Sequence, residues 1–184
     1  MNENTNPPRR LRLFLRDHRV LDASARVPQG QSLATYLASR NRYVNLTTVG
    51  WIGTGEQVPH MALKVSSVLW ASSEDGDVPL TSGLAAAHAR PVEVELEGGY
   101  LIAAGLLLAP DQRLTDYLQT APSFVPLREA ELRPRGKELG DLAVNHEAIK
   151  VVRELDARAA GRADEQADGK AVDEPPAGAA AGGG

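Results

Sequence analysis

Gln112-Arg113-Leu114-Thr115-Asp116-Tyr117-Leu118 repeats an earlier stretch, Gln31-Ser32-Leu33-Ala34-Thr35-Tyr36-Leu37, at a distance of 81 positions; both read Q-x-L-x-x-Y-L. The i, i+3, i+4 spacing puts Leu33, Tyr36 and Leu37 on one face of a short helix, and Leu114, Tyr117 and Leu118 on the same face of another. Helices this short are not stable by themselves, so each must be held by packing beneath it. At the same offset Tyr43 falls on Phe124, Val44 on Val125, Leu46 on Leu127, Gly55 on Gly136, Ala62 on Ala143 and Val68 on Ile149. Upstream, Leu13 and Leu15 fall on Val94 and Leu96, and Ala23 on Ala104. A register held this long predicts an internal duplication.

Around each helix the chain reads as strands. Leu11, Leu13 and Leu15 alternate with Arg10, Arg12, Phe14 and Arg16, the period of a strand with one apolar face. Asp17-His18 is a hairpin turn, and Arg19 to Val27 is the returning strand. After the Pro28-Gln29-Gly30 break, Ser32 or Gly30 caps the first helix; Asp111 is the expected cap of the second, its carboxylate accepting a free N–H of the first turn. Third strands follow at Tyr43 to Ile52 and Phe124 to Leu132, with Pro126 predicting an edge or bulge. Fourth strands are expected near Met61 to Trp70 and Leu142 to Val152.

The expected fold is mainly β, a β-rich α+β chain. It comprises two tandem β-β-short α-β-β repeats, 10–72 and 91–155, forming small barrel-like or packed-sheet units. Units this small bury little surface, so the copies are expected to pack on one another or on a second chain. Residues 1–9 read as a disordered start, and 73–90 as an acidic and alanine-rich linker with one helical turn at Leu84 to His88. Residues 156–184 read as a low-complexity acidic tail that cannot offset its ordering entropy.

Composition excludes several classes. The 184 residues carry a net charge of −4, which argues against a chain that coats nucleic acid along its length. The lack of any cysteine removes disulfides, thiolate metal sites and a cysteine nucleophile. Arg16, Asp17, His18 and Arg19 interrupt any signal-peptide core, and no apolar run reaches the ~20 residues that span a bilayer. The expected place is the cytosol, without membrane insertion.

The second half resembles an uncharacterised bacterial domain of unknown function. The resemblance rests on Arg113-Leu114-Thr115-Asp116-Tyr117-Leu118, Phe124-Val125-Pro126-Leu127 and Ala143-Val144-Asn145 ahead of Ile149. The first half departs from it at Ser32, Thr35 and Lys64, where Arg113, Asp116 and Asn145 stand in the second. The resemblance implies a small β-rich fold and no particular activity.

Most chemistry-bearing residues have an ordinary structural reading. His18, His60, His88 and His146 have no ligand spacing and do not repeat at the 81-residue offset. Gly53-Thr54-Gly55 lacks the Gly-Lys-Ser/Thr ending and following helix of a phosphate loop, so it reads as a turn. Ser24, Ser32, Ser66, Ser67 and Ser82 have no nucleophile-elbow context. Helix capping and the helix dipole account for Asp111 and Asp116. The expectation is a chain with no catalytic set, cofactor or metal.

Two clusters remain. Trp51 and Trp70 are replaced in the second half by Leu132 and Val151, which makes them candidate anchors for a protein partner. Arg40-Asn41-Arg42-Tyr43 joins two guanidinium groups to an aromatic ring, the chemistry of single-stranded nucleic-acid binding. Arg10 and Arg12 extend that basic rim, with Arg9, Arg16 and Arg19 near it. The simpler account makes the arginines solvated and Tyr43 core, like Phe124. The functional expectation is therefore a non-enzymatic adaptor or assembly protein that binds an unknown protein or itself. The alternative is an Sm-like or related small barrel holding RNA or single-stranded DNA on the rim of the first repeat.

Overall fold

A computed structural model describes residues 7–74, 76 and 88–155. The chain divides into two units, Met1–Glu154 and Leu155–Gly184, and Leu155 alone is described in the second. The expected disordered tail, most of the expected N-terminal segment and residues 75 and 77–87 of the expected linker, including Leu84 to Ala87 of its helical turn, lie outside the described residues.

Ten antiparallel strands build one sheet: β1 (Arg9–Leu15), β2 (Val20–Ala25), β3 (Tyr43–Trp51), β4 (Gln57–Lys64), β5 (Val68–Ser73), β6 (His88–Leu96), β7 (Leu101–Leu108), β8 (Phe124–Arg133), β9 (Lys137–Asn145) and β10 (Ile149–Glu154). Helix α1 (Leu33–Ala38) joins β2 to β3, and α2 (Leu114–Thr120) joins β7 to β8. The strand order is β10-β6-β7-β8-β9-β5-β1-β2-β3-β4. Each half thus runs fifth strand, first, second, third, fourth. The two halves are joined where β5 pairs with β9, through Trp70–Val144, Ala71–Ala143 and Ser72–Leu142. The sheet does not close into a barrel: among the described residues, β10 and β4 are each paired on one side only.

The alternation expected for β1 is present. Leu11, Leu13 and Leu15 are buried while Arg10 and Arg12 point to solvent. The expected single fourth strand is corrected in both halves to two strands. A 3-10 turn, Val65–Ser67, separates β4 from β5, and another, His146–Ala148, separates β9 from β10. The Asn145 side chain shows why the chain turns, since its carbonyl accepts the Glu147 N–H at 3.1 Å. Pro126 is not at an edge. It lies in interior strand β8, just before a bulge at Leu127–Ala130, at the end of the stretch that faces β7.

Backbone geometry recurs at the same interval as the sequence. Left-handed φ angles occur at His18 and Gly99 (66° and 78°), Gly30 and Asp111 (76° and 63°), Thr48 and Glu129 (50° and 49°), and Gly55 and Gly136 (71° and 63°). Each pair is 81 positions apart. Thr48 and Glu129 stand where the ladders of β3 and β8 lose a step, an unusual conformation for residues with a Cβ.

The helix caps differ. Ser32 caps α1, accepting the Thr35 N–H at 3.2 Å. Asp111 does not cap α2, contrary to expectation: it occupies the left-handed position of Gly30, and Arg113 stands at the cap without a side-chain bond. Leu33, Tyr36 and Leu37 are buried, and α1 packs on β8, β9 and β5. Leu114, Tyr117 and Leu118 are only half-buried, so the motif is the same and its cover is not.

Two apolar cores exchange residues across the junction. The first contains Leu46 and the α1 face, and takes in Phe124 and Ala143 from the second half. The second contains Leu127 and takes in Leu69 and Trp70 from β5. All four residues from Val68 to Ala71 are buried, Val68 and Ala71 in one core and Leu69 and Trp70 in the other.

Candidate interaction surfaces

The end of β3 and the start of β4 form a shallow wall bounded by Asp22 of β2. Trp51, Ile52, Val58, Pro59 and His60 line it, around an open concavity of about 840 Å³. Locally the sequence dictates this lip, because Gly53 (φ 99°) and Gly55 (φ 71°) let the chain reverse directly after Ile52. The Ile52 N–H donates to the Val20 carbonyl and the Trp51 N–H to the Glu56 carbonyl, each at 2.9 Å. These bonds hold the main chain and leave the Ile52 side chain 49% exposed. Trp51 is half-buried: one part packs on the first core, and the Arg19 guanidinium lies 4.3 Å over its ring. Asp17 holds Arg19 there, 2.8 Å from its Nε. That hydrogen bond lowers the Asp17 carboxyl below its ordinary pKa and raises Arg19 further above its own.

Trp70, the other candidate anchor, is 6% exposed. Its ring stacks on Phe14, with centroids 4.0 Å apart, and meets Tyr100 edge-on at 5.2 Å. Trp70 therefore joins the two halves, and its area is used inside the chain.

The arginine cluster is split. Arg26, Tyr36, Arg40, Tyr43 and Asn45 line a small concavity of about 280 Å³ next to α1. The Arg40 guanidinium lies 4.5 Å over the buried Tyr36 ring, a cation–π contact that fixes its direction. Tyr43 is 56% exposed, which corrects the expectation that it shares the buried environment of Phe124, 1% exposed. Phe124 begins a strand that α1 covers, whereas Tyr43 begins a strand next to edge strand β4. Asn41 and Arg42 are exposed beside it. Arg26 belongs to the cluster, a residue that sequence distance concealed.

Arg10 and Arg12 lie farther along β1, facing acids. Arg12 grips Asp22 with two parallel bonds, at 2.7 and 2.9 Å, and also reaches Glu74 at 3.6 Å. Its hydrogen bond to Asp22 raises the Arg12 pKa. Arg10 lies 4.0 Å from the same Glu74. This part of the basic face is locally neutralised: Arg12 ties β1 to β2, and Arg10 and Arg12 both face Glu74 just after β5.

Among the described residues no group of three or more acidic or histidine side chains converges as a metal site. His18 is turned to the Tyr100 hydroxyl at 2.5 Å. Among the described residues no helix is long and apolar enough to cross a membrane. No family model, curated protein or solved structure matches the chain.

Proposed function

We propose that the chain is a non-enzymatic assembly or adaptor protein of the cytosol, built as two tandem packed-sheet repeats at 10–72 and 91–155. The coincident Q-x-L-x-x-Y-L helices, the shared strand order and the four left-handed backbone pairs support the duplication. On this reading the resemblance to the uncharacterised bacterial domain extends to the first half through the backbone rather than the motif.

The interaction reading rests on Ile52, which stands 49% exposed on the lip of a wall shared with Trp51, Val58 and Pro59. A large apolar side chain held in water by a rigid turn, beside a half-buried tryptophan, is the pattern of a contact anchor. Ile52→Asp alters a residue that the fold does not bury. The tagged chain and this variant are each drawn from native cells at moderate salt, and co-purifying proteins are measured by mass spectrometry. Loss of a stoichiometric partner with an unchanged circular dichroism spectrum is expected. Undiminished capture by the folded variant would remove the anchor.

A second reading is favoured by the concavity of Arg26, Arg40, Tyr43 and Asn45, which places cations beside an exposed ring. On this reading the open sheet holds RNA or single-stranded DNA there. Arg40→Gln with Arg42→Gln should then weaken oligonucleotide binding and flatten its log–log salt slope by roughly 1.4, at about 0.7 per phosphate contact on single strands. A complex insensitive to salt contradicts this reading.

A further inference from the structure

We infer that a second copy of the chain docks head to tail on the first, with β10 of one copy pairing with β4 of the next in the register already used by β5 and β9. The inference deepens the assembly reading by naming the partner, and it rests on that reading for the equivalence of the two halves.

The chain contains one example of the joint. Strand β5, fifth in its half, pairs with β9, fourth in the other. The strands left over at the two ends of the sheet are β10, the other fifth strand, and β4, the other fourth strand. Moving the internal register by 81 positions sets Val151 opposite Leu63, Val152 opposite Ala62 and Arg153 opposite Met61 of the neighbour. Pro59 falls outside these three steps, so its missing N–H costs the new ladder nothing.

Three independent features have the same explanation. Tyr43, Ile52 and Val151 are the exposed large hydrophobic residues among those described. The counterparts of two of them are Phe124, 1% exposed, and Trp70, 6% exposed, both buried at the internal joint. The third feature is α2. Helix α1 buries Leu33, Tyr36 and Leu37 against β8 and β9, across the internal joint. The equivalent cover for Leu114, Tyr117 and Leu118 is β3 and β4 of a second copy, next to Tyr43. One contact therefore covers the β10 edge and the apolar face of α2 on one copy and the exposed Tyr43 ring on the other. The polar contact has a counterpart as well. Asn145 Nδ2 donates to the Val68 carbonyl at 2.9 Å across the internal joint, and Lys64, in the position of Asn145, carries an ammonium that can donate to the Ile149 carbonyl.

A joint between unlike edges is heterologous. It leaves one edge of each kind free at every step, so copies either close into a ring or grow as a filament.

The absence of native cysteines makes a direct test simple. Opposed residues of an antiparallel ladder have Cβ atoms about 4.5–5.5 Å apart, within reach of a short bifunctional thiol reagent. Full-length chains carrying Ala62→Cys and Val152→Cys are mixed and cross-linked, each alone and together, and mass is measured by light scattering. Multimers in the uncross-linked protein and a 62–152 bond at least tenfold more abundant than 62–62 or 152–152 bonds are expected. Val151→Lys alters a residue already in water, so it should leave the fold intact and weaken association at least tenfold. A strictly monomeric chain, a predominance of like–like cross-links, or undiminished association of folded Val151→Lys would each overturn the inference. A monomer that still loses its protein partner on Ile52→Asp would leave the adaptor reading standing and remove this joint alone.

Discussion

The side-chain amide of Asn145 donates to the Val68 carbonyl at 2.9 Å, tying the last residue of β9 to the first of β5. Asn145 is 3% exposed and its other atom accepts the Glu147 N–H. Both of its hydrogen-bonding ends are thus used, one for the joint and one for the turn that follows. Asn145→Ala leaves a buried carbonyl without its partner, and should lower unfolding stability by about 1–3 kcal/mol. Urea unfolding followed by tryptophan fluorescence measures it, because Trp70 reports on the same joint. Asn145→Lys, which copies the first half, should destabilise the chain further than Ala because it buries a charge.

The two helix starts predict opposite responses to matched substitutions. Ser32→Ala removes a bonded cap and should cost about 1 kcal/mol. Arg113→Ser places a hydroxyl at an uncapped position with similar extended backbone, φ −76° and ψ 145°, and should stabilise the chain by about 0.5–1 kcal/mol. Thermal unfolding of the two variants checks both signs.

Burial raises the Tyr117 phenol above its ordinary pKa. With the folded value above the unfolded one, the associated stability is complete below the unfolded pKa, near 10, and is lost as pH rises through the folded value. Ultraviolet titration of the phenolates should show a late-titrating component that is lost in Tyr117→Phe.

Salt separates the two partner classes. The proposed joint places Lys150 opposite Lys64 of the neighbour, one step beyond the register that β5 and β9 share, and both chains carry a net charge of −4. Screening these repulsions should strengthen self-association as ionic strength rises, while an oligonucleotide complex weakens. Sedimentation velocity at low and moderate salt reads the first effect, and fluorescence anisotropy of a labelled oligonucleotide reads the second.

Local pattern was legible wherever one residue's neighbours decide its state. The alternation of leucine and arginine specified β1, and the Q-x-L-x-x-Y-L spacing located both helices. The missed fifth strands show the limit. Neither glycine nor proline marks the Val65-Ser66-Ser67 turn, and apolar residues stand on both sides of it, so local pattern cannot distinguish one long strand from two short ones. Asp111 misled because a carboxylate before a helix usually caps it, while the left-handed position that Gly30 fills needed an occupant. Tyr43 and Phe124 are matched in sequence and opposite in burial, because cover by α1 comes from the other half of the chain. The pairing of Arg12 with Asp22 was hidden for a smaller reason: the hairpin set the two strands side by side, but not the register that puts Phe14 opposite Val20.

The burial of β5 between two cores has a consequence during synthesis. Its partner residues in β9 follow far behind in the chain: Asn145 is made 77 residues after Val68. At about 5–20 residues per second, a nascent chain carries a completed β5 for roughly 4–15 s before β9 emerges. Throughout that interval the edge of β5 that β9 will take has no partner within its own chain, although Trp70 already has Phe14 to stack on. On the docking inferred above, the complementarity that completes the fold also makes the half-made chain a target for its own product, so the order in which strands emerge bears on which edge is capped first.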